Sequence, residues 1–136
     1  LGKGRLDVFE AVTKASPSIR ALNYKLVNEL GNSAEPGDNA LLYFDFINYL
    51  SSSSSGLTIS ISTTSTDITI TKGSIAPGAI ASGATVRNTI TPFELSINSS
   101  VGENTPVILT ITYSDGSYQD TQSFSFVPNP SYRDID

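Results

Sequence analysis

From Ile19 onward, apolar and polar side chains alternate with a period of two in one segment after another, and no stretch of helical period separates them. Successive side chains of a strand point to opposite faces, so a segment of this kind buries one face and shows the other to water. Leu22, Tyr24 and Leu26 alternate and read as a first strand. Leu57, Ile59 and Ile61 follow the same rule between hydroxyl residues, as do Ile68 and Ile70. Phe93, Leu95 and Ile97 form another such set, and Leu109, Ile111 and Tyr113 lead into a return over Tyr118 to Phe126. The run Leu41 to Leu50 is apolar on both faces. There Asp45 decides the matter, because a lone buried carboxylate is costly, so Leu42, Phe44 and Phe46 are assigned to the core.

Turn signals punctuate these segments. They stand at Glu35-Pro36-Gly37-Asp38-Asn39, Ala76-Pro77-Gly78, Ser82-Gly83, Asn98 to Pro106 and Ser114-Asp115-Gly116-Ser117. An Asp-Gly pair between alternating runs is the strongest short hairpin signal. The serines from Ser51 to Ser55 read as a solvated loop. Ser, Thr and Ile crowd the sequence, and β-branched side chains pack well on a pleated surface. The expected fold is all-β: an antiparallel Ig-like β-sandwich of about seven or eight strands. It lacks the Cys–Trp–Cys core of true immunoglobulin domains, since the chain has no Cys and no Trp.

The first residues follow a different rule. Leu6, Phe9 and Val12 recur at helical spacing, Asp7 and Glu10 form a capping-box-like pair, and Ser16-Pro17 ends the segment. A short N-terminal helix is expected there. A helix of about two turns is marginal alone, so its main packing partner is expected elsewhere. Because the chain opens on Leu1 rather than Met, we expect a processed or excised piece of a longer protein.

Composition removes several function classes. The formal net charge is −5 and the eight basic residues are scattered, which argues against nucleic acid as a partner. No apolar run approaches the roughly 20 residues that cross a bilayer as a helix, so no membrane insertion is expected. The chain contains no His, so neither a Ser-His-Asp nor a Cys-His site nor an imidazole metal site can be built from it alone. We expect no catalytic, cofactor-binding or metal-ligating residue in this chain.

The remaining constellations have plain readings. Gly2-x-Gly4 lacks the rest of a phosphate-cradling fingerprint and reads as a helix-entrance turn. Asp115 and Asp120 could be a carboxylate pair for glycoside hydrolysis, but a hairpin tip is solvated and a turn role explains Asp115. Asp38, Asp67, Asp115 and Asp120 offer hard oxygen ligands for calcium, without a D-x-D-x-D run. Tyr24, Tyr43, Tyr49, Tyr113 and Tyr118 could form a sugar-stacking platform, although most tyrosines in a sandwich sit half-buried with a wet hydroxyl. Asn98-Ser99-Ser100 fits a glycosylation acceptor, relevant only in a eukaryotic secretory context.

The opening residues, from Leu1 to Val12, resemble the closing helix of the subtilisin-like catalytic domain, with Gly2, Gly4, Leu6, Asp7, Ala11 and Val12 on its pattern. The stretch from Ile19 to Pro128 is similar to the sandwich domains that follow catalytic domains in bacterial secreted peptidases. Its markers, in order, are Pro36 to Asp38, Asn48, Asp67 to Ile70, Ile80 to Ala84, Asn88, Pro92-Phe93 and the Asp-Gly hairpin. The resemblance implies residues 1–16 as a remnant of a catalytic domain and 17–128 as an accessory sandwich; residues 129–136, polar and without strand alternation, are expected to be a linker to a further module. It implies an extracellular, non-catalytic domain whose partner is the parent protein's catalytic domain, with a protein or polysaccharide surface as a further contact. A carbohydrate- or surface-binding module and a structural spacer are the alternatives.

Overall fold

The computed structural model describes residues 16–130, which form nine strands and no helix. They are β1 (Ile19–Asn28), β2 (Asn39–Asn48), β3 (Thr58–Ser62), β4 (Ile68–Lys72), β5 (Ser74–Ile75), β6 (Thr85–Arg87), β7 (Phe93–Ile97), β8 (Val107–Asp115) and β9 (Tyr118–Phe126). One sheet has the order β1-β2-β7-β4, with β6 also on β2; the other has the order β5-β3-β8-β9. Every pairing is antiparallel. The short helix expected on Leu6, Phe9 and Val12 lies outside the described residues.

The inner faces of the two sheets share one core. Leu42, Phe44 and Phe46 are fully buried, as expected from Asp45 on the opposite face. Leu57, Ile59, Leu109, Ile111 and Tyr113 meet them from the side of the other sheet, and Leu95 joins them from β7 in the same sheet. Phe44 is the hub of the aromatic packing, with ring centroids 5.0 Å from Phe124, 5.8 Å from Phe46 and 6.3 Å from Phe93. Such offset pairs add to what area burial alone contributes.

The first strand departs from simple alternation. Its inward residues are Ile19 and Ala21, whereas Leu22 and Tyr24 are 40% and 46% exposed. A bulge between Leu22 and Lys25, with Asn23 in the left-handed region at φ 54°, re-aims the chain there. Leu26 returns to the core side. Asn tolerates this backbone better than a branched residue would.

Side chains, rather than further strands, complete the ladders. β6 and β7 share one edge of β2 and leave a gap opposite Phe44. Asn88 fills it: Phe44 N donates to Asn88 Oδ1 (2.8 Å), and Asn88 Nδ2 donates to the carbonyls of Leu42 (3.3 Å) and Thr91 (3.4 Å). At the outer edge of β1, Ala21 N donates to Gln122 Oε1 (2.9 Å) and Gln122 Nε2 donates to Ala21 O (3.0 Å). Ile19 N donates to the Tyr118 hydroxyl at 3.0 Å, and Arg20 pairs with Asp120 at 3.0 Å. The edge of one sheet is thus stitched to the inward side chains of β9 in the other. Tyr113, buried and held protonated because burial pushes its phenol up, donates to the same Gln122 oxygen at 2.7 Å.

Gly73 turns the chain from one sheet to the other, between β4 and β5, and its carbonyl accepts from Ile61 N at 2.7 Å. A methyl group there would lie 2.9 Å from Ile70 Cγ2 and 3.1 Å from the Ile61 carbonyl. Gly73→Ala is therefore expected to lower stability by about 1–3 kcal/mol through overpacking, read as a reduced urea midpoint. Gln122→Ala leaves the two Ala21 peptide groups and the Tyr113 hydroxyl without their partner. We expect a loss of about 1–3 kcal/mol or more. A midpoint unchanged by Gln122→Ala would mean that water replaces the amide without cost.

Candidate functional site

The strands deliver one end of the sandwich as a built, tightly held surface. Residues before β1 continue its pairing with the segment after β2: Tyr49 N donates to Ser18 O (2.8 Å) and Ser51 N to Ser16 O (3.1 Å). Asn48, at the end of the apolar run of β2, is completely buried. Its Oδ1 accepts from Ser18 N (3.0 Å) and Leu50 N (3.2 Å), and its Nδ2 donates to the carbonyls of Ser51 (2.7 Å) and Ile80 (2.9 Å). One amide therefore ties the incoming chain, the serine loop and the loop that carries Ile80. This matters because an unpaired buried amide costs about 1–3 kcal/mol.

The serine run is more than a solvated loop. Ser53 is buried, donating its N–H to the Ile80 carbonyl (3.0 Å) and accepting from Ile80 N through its hydroxyl (2.8 Å). Ser54 donates its backbone N–H (2.8 Å) and its hydroxyl to the Asp115 carboxylate. Those two bonds hold the Asp115 carboxyl below its usual range. The β8–β9 hairpin that carries Asp115 closes through Gly116 and Ser117, and Gly116 has φ 62°, as the first central residue of a type II′ turn requires.

These pieces enclose an open groove of ≈ 600 Å³ lined by Ser16, Pro17, Ser52, Ser54, Asp115 and Tyr118. Among the described residues its lining is hydroxyl-rich, and the Asp115 carboxylate is engaged by Ser54. Beside the incoming chain stand Tyr49 and Leu50, 56% and 57% exposed. They are two large side chains exposed side by side in the sequence, next to the point where Ser16 to Ser18 join β1.

The other sequence-derived candidates disperse. Asp115 is held by Ser54, while Asp120 pairs with Arg20 and accepts from the Tyr118 hydroxyl at 3.3 Å. Asp38 accepts from Glu35 N at 2.9 Å and from Asn28 Nδ2 at 3.4 Å, a turn-closing role. Among the described residues no three metal-ligating side chains come together, Asp67 included. The tyrosines form no common platform. Tyr113 is in the core, Tyr43 lies under Arg87 at 6.0 Å, Tyr118 caps Ile19, and Tyr24 leans on Phe124 at 4.9 Å. Tyr113 departs from the half-buried, wet-hydroxyl pattern expected of most tyrosines: it is fully buried, with its hydroxyl on Gln122. Asn98 is exposed, with Oδ1 accepting from both N and Oγ of Ser100 at 3.0 Å. Gly2 and Gly4 lie outside the described residues.

Asn48 and Asn88, which the sequence offers only as markers of the resemblance, and Gln122, which it does not single out, are the polar groups that shape the molecule. Their signal was present but weak: an Asn closing an apolar strand is out of place by propensity and asks for a buried partner.

The Asp115 contact gives a pH test. A carboxyl whose folded pKa lies below the unfolded value near 3.8 contributes stability above that pH, and the contribution disappears as pH falls through the lower, folded value. Asp115→Asn should therefore be less stable than the parent chain at pH 7, and the difference should shrink below about pH 3.5. A gap that stays constant with pH would contradict this account of the loop. Comparison of the chain with models of known protein families and with curated protein sequences finds no match.

Proposed function

We propose that this chain is a non-catalytic Ig-like accessory domain that follows the catalytic domain of a secreted, subtilisin-like serine endopeptidase and stabilises or positions it. The observation that carries the reading is the locked end of the sandwich. Ser16 to Ser18 leave it in a direction fixed by Asn48 and the Tyr49 and Ser51 hydrogen bonds, beside the exposed pair Tyr49 and Leu50. A domain that positions a neighbour needs a stiff junction and a surface next to it. The pattern of Gly2, Gly4, Leu6, Asp7, Ala11 and Val12 supplies the likeness to a catalytic domain's last helix. With no His in the chain, a serine triad would have to be completed by residues preceding Leu1.

The carbohydrate-binding alternative asks for exposed aromatic side chains gathered on one face. Among the described residues Tyr24 and Tyr49 are the exposed tyrosines, one half-way along β1 and the other beyond β2. No observation favours that reading over the accessory one.

Two measurements test it. The reading frame upstream of Leu1 is expected to encode a catalytic domain with Asp, His and Ser motifs; their absence sinks the proposal. In the full-length protein, the double substitution Tyr49→Ser, Leu50→Ser should lower the unfolding temperature of the catalytic domain by several degrees. In the present chain alone the same change should stay within about 0.5 kcal/mol, as exposed substitutions do. Equal effects in both would place the two side chains in the sandwich's own stability instead.

A further inference from the structure

A sheet edge offers unpaired peptide groups to any other strand, and proteins blunt such edges with bulges, short strands, charges or cover. The described strands of this chain can be sorted on that basis. β1 carries a bulge with left-handed Asn23, and its outward peptide groups at Ile19 and Ala21 are occupied by Tyr118 and Gln122. β4 has five residues, a register shift between Ile70 and Lys72, and a terminal lysine. β5 has two residues and β6 three. β9 stands apart. It runs nine residues from Tyr118 to Phe126 without a bulge, a proline or a basic residue.

The register fixes which peptide groups of β9 face outward. Asp115 and Tyr118 flank a two-residue turn and so form a hydrogen-bonded pair; the alternation then turns Tyr118, Asp120, Gln122, Phe124 and Phe126 toward β8. The peptide groups of Gln119, Thr121, Ser123 and Ser125 point away. One of them is already engaged, since Thr121 N donates to Asp120 Oδ1 at 2.8 Å. The same four residues are exposed, uncharged and hydroxyl- or amide-bearing. The one charge on the strand, Asp120, is neutralised by Arg20 at 3.0 Å.

We propose that the outer edge of β9, on which no described strand pairs, pairs antiparallel with β9 of a second copy of this chain, joining two four-stranded sheets into one continuous sheet. Charge points to a second copy. Antiparallel self-pairing sets Gln, Thr and Ser side chains against each other and opposes no like charges, and cross-strand hydroxyl pairs are favourable. Closure points the same way. A twofold β9–β9 contact uses the same patch on both copies and ends there, whereas β9 on a different edge would propagate without limit. The inference is independent of the accessory-domain reading.

The test is sedimentation equilibrium of the full 136-residue chain from micromolar to millimolar concentration, with three variants at Ser123. Ser123→Pro removes an outward N–H that the β8 ladder does not use, and Ser123→Lys leaves the backbone intact but places a charge on the edge. Ser123→Ala is the control. We expect the parent and Ser123→Ala to form dimers, whereas Ser123→Pro and Ser123→Lys should associate at least tenfold more weakly while still unfolding cooperatively. Should Ser123→Pro fail to fold, Ser123→Lys alone decides the question. A chain that stays monomeric throughout, or dimers that persist unchanged in the folded Lys variant, would overturn the proposal.

Discussion

The architecture depends on how β1, an edge strand, disposes of peptide groups that face no neighbouring strand. Gln122 meets the N–H and carbonyl of Ala21 as another strand's peptide would, and Tyr118 takes the N–H of Ile19. Both side chains come from the opposite sheet. The two sheets are therefore held together along this side by directional bonds as well as by the non-directional burial of apolar surface. Tyr24 and Phe124 continue the same seam in aromatic form, at 4.9 Å between centroids. The bulge at Asn23 lets Tyr24 reach that position while Asp45 stays on the outer face, bound to Asn23 (3.0 Å) and Arg87 (2.8 Å). Those two bonds hold the Asp45 carboxyl below its ordinary range.

The same device recurs wherever the backbone runs out of partners. Asn88 stands in for a strand at the gap between β6 and β7, and Asn48 for a whole junction of loops. No buried side-chain nitrogen or oxygen among the described residues lacks a hydrogen bond. Fully satisfied amides in a low-dielectric setting rigidify what they join. This links local chemistry to the proposed role: the end of the sandwich that receives the preceding chain is also where Asn48, Ser53 and Asp115 concentrate such bonds.

Much of this was legible in the alternation. Phe44, Leu95 and Ile111 fall on the inner face because a period of two leaves a strand no other way to bury them, and Asp45 identified the outer face of β2. The Asp-Gly pair located the last hairpin. What alternation does not carry is cross-sheet pairing, because it depends on distances between residues such as Ala21 and Gln122 that lie far apart in the chain. Gln122 looks like one more polar residue of a polar strand. The serine run looked featureless for the same reason: Ser53 is buried only because the Ile80 loop folds over it. The aspartates and tyrosines, legible as chemical groups, proved to be turn-formers, ion-pair partners and packing elements.

The most direct test of this account is amide hydrogen exchange at Ile19 and Ala21. On an ordinary edge strand these outward N–H groups would exchange nearly as fast as those of an unfolded chain. If Tyr118 and Gln122 serve as the missing strand, both amides should be strongly protected in the parent chain, and Gln122→Ala should release Ala21 while leaving the β8–β9 ladder amides slow. Rapid exchange at both positions in the parent chain would contradict the seam.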